Sequence, residues 1–252
     1  MIPIKDNIPT DRFAFVTLGL IVANFVAYLL AVSQAGSVIA GPDFHELVRY
    51  GAIPYALTHP DSHCVAQHAT QIVCGAHVQG AVPTWETVFT SMFIHASILQ
   101  LLGNMVFLWI FGSTLEDTIG PIKYLGFYIL GGLATLGLQV AMAPNSMAPT
   151  VGAAGPIAAV LGGYILLYPR ARVFSLSIIP FFVTVIAVPV LVMLAIWFVM
   201  QAIFVVADLT TPSGANGAVA YLAQVLAFAF GLVVVKGLAT RRKSVPPPHP
   251  VY

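Results

Sequence analysis

Apolar residues gather along this chain into long runs divided by short polar breaks. Six runs are long enough to cross a bilayer, at roughly 13–33, 88–111, 122–142, 152–168, 181–206 and 217–238, since a transmembrane helix needs about 20 mainly apolar residues. The pattern predicts an all-α polytopic membrane protein, a bundle of six transmembrane helices over residues 13–240, with a leader over 1–12 and a tail over 241–252. The leader carries Lys5, Asp6, Asp11 and Arg12. The run behind it is longer than the apolar core of a cleavable signal peptide, so it reads as a retained helix. The tail holds Pro246, Pro247, Pro248 and Pro250 and reads as extended.

Composition agrees. Hydrophobic residues make up 59% of the chain, charged residues 8%, and the mean hydropathy is +0.92, whereas a soluble domain carries about a quarter charged residues. A net charge of +1 with no dense basic run in the core excludes nucleic acid as a partner class. Orientation follows from the ten Lys and Arg residues. With a cytoplasmic leader, Lys5, Arg12, Lys123, Arg170, Arg172, Lys236, Arg241, Arg242 and Lys243 fall inside, and Arg49 alone falls outside. Both termini are then expected in the cytoplasm, and the Arg241–Lys243 cluster is a topology signal.

The stretch 34–87 is the one long loop, extracytoplasmic in this orientation. It holds Cys64 and Cys74 with His45, His59, His63, His68 and His77. A Cys64–Cys74 disulfide closing a small loop is the simplest reading in an oxidising compartment. The alternatives are a zinc site from His63, Cys64, His68, Cys74 and His77, whose spacing fits no common ligand pattern, and free solvated side chains.

Polar residues within the spans are the candidates for chemistry, because lipid penalises them unless they face a cavity or a partner. Ser97, Gln100 and Asn104 recur at three- and four-residue steps on the second span and share a helix face. That pattern suits hydrogen-bonding glue between helices as well as a functional site. The fourth span opens Gly152-Ala153-Ala154-Gly155 and carries two small-residue stripes, Ala154, Ala158, Gly162 and Gly155, Ala159, Gly163. The sixth carries Ala220, Gln224, Ala227 and Gly231, so these two helices are expected to pack closely.

Several segments resemble a known family. They are Phe89-Thr90-Ser91-Met92-Phe93-Ile94-His95, Gly103-Asn104-Met105, Trp109-Ile110-Phe111-Gly112 with Glu116-Asp117, Gly152-Ala153-Ala154-Gly155, Tyr168-Pro169-Arg170-Ala171-Arg172, and Trp197-Phe198 with Gln201. In order and spacing they are similar to the rhomboid intramembrane serine proteases, in a bacterial, actinobacterial-like branch, over about residues 1–240. The resemblance implies a rhomboid-like bundle. It also implies a nucleophile at position 154, a base at 224, and oxyanion-stabilising residues at 100 and 104. This chain has Ala154, Gln224 and Gln100 there, and only Asn104 keeps the family's residue. His95 matches a histidine of the second-span motif that is not the base, and Leu226 and Ala227 stand where glycines usually follow the base.

Acyl transfer by this route needs an oxygen or sulfur nucleophile and a nearby base. A methyl group and a carboxamide supply neither. The leading expectation is a catalytically inactive rhomboid-like protein that binds transmembrane segments of client membrane proteins. It is expected in the lipid bilayer, in a bacterial plasma membrane, with no cofactor and no metal. The alternative is a rhomboid serine endopeptidase in a disabled form, which a serine at position 154 of the native gene would indicate. A transporter is disfavoured, because the spans carry no ionisable pathway.

Overall fold

The computed structural model describes residues 2–67, 71–76, 82–179, 182–209 and 215–239. His68, His77, the Arg241–Lys243 cluster and the tail lie outside these residues.

The bundle is helical and polytopic. Among the described residues, five helices are long and apolar enough to cross a membrane: the first span Phe15–Gln34, the second Ile98–Ile119, the third Pro121–Met142, the fifth Val190–Leu209 and the sixth Ala215–Leu238. The fourth, Ala154–Leu167, has 14 residues and lies almost wholly buried among the others. At 1.5 Å per residue it covers about 21 Å, short of a hydrocarbon core of about 30 Å. The chain reaches it through the irregular, partly exposed segment 143–153. Its backbone finds partners in other segments. Here Thr150 exchanges backbone hydrogen bonds with Ala52 (3.0 and 2.8 Å), and Gly152 N–H donates to the Ser91 carbonyl at 2.8 Å.

Two expected spans are displaced. The second begins at Ile98 rather than near 88, because Thr84–Thr90 is a separate short helix and a turn over 91–97 follows it. The fifth begins at Val190 rather than near 181, because Phe182–Pro189 is a strand. That strand, β7, pairs with β6 (Arg172–Ile179), which pairs with β1 (Ile2–Asp6) in an antiparallel sheet of order β1-β6-β7. β-Branched residues crowd the segment, and such side chains suit a pleated strand.

The same end of the bundle is held by buried carboxylates. Glu116, in the last turn of the second span, accepts from Val16 N–H (3.0 Å), Thr17 N–H (2.7 Å) and the Thr17 hydroxyl (2.7 Å), and so caps the first span. Asp117 accepts from Asp11 N–H at 2.8 Å. Asp6 of β1 accepts from the Thr114 and Tyr164 hydroxyls, both at 2.7 Å.

At the opposite end, β2 (Gly36–Ser37) and β3 (Gly41–Pro42) form a small pairing after the first span. The helices Phe44–Tyr50 and Pro54–Thr58 follow. Next comes a hairpin of β4 (His63–Gln67) and β5 (Gln71–Gly75), in which Cys64 stands opposite Cys74 and is joined to it by a disulfide. That bond removes both thiols from any zinc site.

The fourth and sixth spans touch through small residues, as expected. A Cβ on Gly162 would strike the Phe228 carbonyl, and one on Gly231 the Ala159 carbonyl. The second stripe is shared with another neighbour, since Gly155 faces Thr135 of the third span and Gly131 faces Ala159. Ala227 is fully buried, whereas Leu226 is 42% exposed and points away from the contact.

Candidate functional site

The site forms where segment 143–153 turns into the fourth span. Gly152 sits at φ +108°, a left-handed conformation that favours glycine. A side chain there would also meet Gln100 Nε2 at 2.8 Å. Residue 154 is the first of the helix and lines the cavity described below.

The second span supplies the opposite wall. Ser97 caps it, its hydroxyl accepting from Gln100 N–H at 3.2 Å, so Ser97 is a terminating residue rather than a member of a polar helix face. Gln100 Oε1 accepts from Ala96 N–H at 2.8 Å, and its Nε2 points to the Val151 carbonyl at 3.5 Å. Asn104, one turn further, reaches His95 Nε2 at 3.0 Å. These amides tie loops to the second span and are not glue between helices.

His95 lies in the turn ahead of the second span and is fully buried. Its Nδ1 faces the Phe93 carbonyl at 3.2 Å, and a carbonyl only accepts, so Nδ1 carries the hydrogen. Nε2 is then the acceptor, taking a hydrogen bond from Asn104 Nδ2 and another from Ala153 N–H at 3.4 Å. The imidazole thereby holds residue 153 against the second span, and its one lone pair is already engaged.

Gln224 of the sixth span completes the set, its Oε1 accepting from Gln201 Nε2 of the fifth at 2.6 Å. Gln201 is 6% exposed in a helix whose other residues from Val190 to Ala207 are all apolar. Spacing along the sequence does not give this pairing, though a lone carboxamide in such a span is itself a signal that a partner exists.

Gln100, Ala154 and Gln224 each line two adjoining cavities. One, of about 280 Å³, lies beneath the 143–153 segment and is bordered by Ser91, Gln139, Thr150 and Tyr221. The other, of about 260 Å³, opens between the second and fifth spans past Leu99, Gly103, Asn104, Phe107 and Trp197. Among the described residues, neither is lined by a carboxylate, histidine, lysine or arginine. The arrangement offers carboxamide and hydroxyl groups within apolar walls. Its helix-start position bears only a methyl group.

Comparison with known proteins agrees with this layout. The rhomboid domain family matches residues 83–241, from the helix before the second span to the end of the sixth. The chain is also 30% identical over 84 residues to presenilin-associated rhomboid-like protein A, mitochondrial, of Danio rerio, a match covering 32% of this chain and 22% of that protein. A short, mostly buried central helix, read with a family match over more than half the sequence, places this chain in the rhomboid family of integral membrane proteins.

Proposed function

We propose that this protein is a non-catalytic rhomboid that binds transmembrane segments of client membrane proteins. The observation that carries the reading is the content of the cavity. Positions 154, 224 and 100 hold a methyl group and two carboxamides, while the opening between the second and fifth spans remains, walled by Leu99, Phe107 and Trp197. An apolar helix entering there would meet hydrocarbon walls and neutral hydrogen-bonding groups. No nucleophile and no base would meet its backbone. His95 does not substitute for the base, because its acceptor nitrogen is spent on Asn104 and Ala153.

The test is photo-crosslinking in membranes with a photoreactive residue at Leu99 or Phe107, run beside a cleavage assay on the same vesicles. Capture of intact transmembrane segments, abolished by filling the opening with Gly103→Trp, is the expected result. Specific cleavage that tracks the purified protein and disappears with Asn104→Ala refutes the reading.

A disabled serine endopeptidase is the second reading. It is favoured by one observation: the left-handed Gly152 and the tight Gly155 contact persist around a residue with no reactive group. A serine at position 154 of the native gene would select it.

A further inference from the structure

A cavity of about 650 Å³ lies away from the site above, between the first span and the Phe44–Tyr50 helix. Its size falls in the range of small-molecule sites, roughly 300–1,000 Å³. Ala27 and Leu30 of the first span, with Phe93 and Ile94, give it hydrocarbon walls, and Glu46 and Arg49 supply its charges.

Glu46 is out of place in such a wall. It is 7% exposed, and its Oε2 is buried with no hydrogen-bond partner among the described residues. Its Oε1 lies 3.9 Å from Arg49, at the outer limit of an ion pair. A buried carboxylate oxygen left unpaired is costly, and Glu46 borders the cavity, so a turn of its carboxylate toward that space lets a ligand supply the donor that the described residues do not. Arg49 is half exposed and rests over the Tyr50 ring at 5.2 Å, so its guanidinium is accessible to an anion. A ligand that satisfies the cavity therefore needs an N–H-bearing cation, an anion beside it and a hydrocarbon chain.

We propose that this cavity binds a glycerophospholipid with a primary-amine headgroup. The ammonium donates to Glu46, the phosphate accepts from Arg49, and an acyl chain lies along Ala27 and Leu30. A quaternary ammonium headgroup lacks the N–H donors, and a glycerol headgroup lacks the positive charge. The site thus distinguishes headgroups rather than merely touching lipid.

The test uses the purified full-length protein, delipidated in detergent and titrated with short-chain phosphatidylethanolamine, phosphatidylcholine and phosphatidylglycerol, with bound lipid counted by native mass spectrometry. Phosphatidylethanolamine is expected to bind about tenfold more tightly than either other lipid, the worth of one charge-assisted hydrogen bond. Glu46→Gln, nearly isosteric, should bring it to the level of phosphatidylcholine. Arg49→Gln should weaken all three, and Ala27→Trp, which fills the hydrocarbon part, should do the same. Equal binding of the three lipids by the unaltered protein overturns the proposal. So does a phosphatidylethanolamine preference that survives Glu46→Gln.

Discussion

Replacing Glu116 by alanine should loosen the first span from the bundle. The carboxylate is 3% exposed and accepts from two backbone N–H groups and a hydroxyl at the start of a 20-residue helix. No side-chain cap exists there otherwise, since the cap position is Ala14. The Thr17 hydroxyl can rotate to another acceptor, but the two N–H groups cannot. Each stranded donor costs about 1–3 kcal/mol, and losing a negative charge at the helix start adds about 0.5–1 kcal/mol. The sum for the two donors and the charge is about 2.5–7 kcal/mol. At 2–4 °C per kcal/mol for a chain of this size, melting should fall on the order of 10 °C. Glu116→Gln keeps one acceptor oxygen but turns an amide N–H toward other donors, so it should lose about half as much. The assay is thermal unfolding in detergent, with the exposed Asp61→Ala as control. An alanine variant melting within about 2 °C of the parent refutes the capping role.

Three further outcomes are expected. Gly231→Leu must push against the Ala159 backbone and should lower melting well beyond Val233→Leu, at a position 76% exposed, since overpacking costs about 1–3 kcal/mol. Burial raises the Asp6 carboxyl above its ordinary 3.8, so its contribution to stability is full below that value and is lost as pH rises through the raised one; Asp6→Asn should therefore gain on the parent protein as pH is raised, and a pH-independent difference refutes it. Ala154→Ser alone should resist a serine-reactive fluorophosphonate, whereas Ala154→Ser with Gln224→His should label, because a positioned base contributes about 10²–10⁴-fold. Leu226→Gly should add nothing to that pair, as Leu226 faces away from the fourth span, and strong labelling of the single variant would reveal another base.

The spans were legible where apolar runs coincide with single helices, as in the first and third. The second was misplaced by continuity of apolarity. Residues 88–97 are as hydrophobic as the helix behind them, and only the Ser97-Ile98-Leu99-Gln100 pattern marks the true start, with serine capping and glutamine folding back. For the fifth, an apolar tally cannot separate strand from helix; Val183, Val185, Ile186 and Val188, next to Pro189, carried the information in their branching. Spacing placed Gln100 and Asn104 on one face correctly. It could not supply His95 as the anchor of Asn104 or Gln201 as the mate of Gln224, because those contacts join segments whose approach only tertiary packing decides.

The sheet order β1-β6-β7 also dictates when the protein can be finished. Residues 2–6 find their hydrogen-bonding edge only at Arg172–Ile179, and Asp6 finds Tyr164 across 158 positions of sequence. At about 5–20 residues per second, the ribosome delivers that edge roughly 10–30 s after the first strand emerges. Through that interval Ile2–Asp6 has no partner strand, and the first span has no carboxylate at its start until Glu116 is made. Ile2–Asp6 is thus secured long after it is synthesised, and any chaperone that guards this protein during insertion has that segment to hold through the interval.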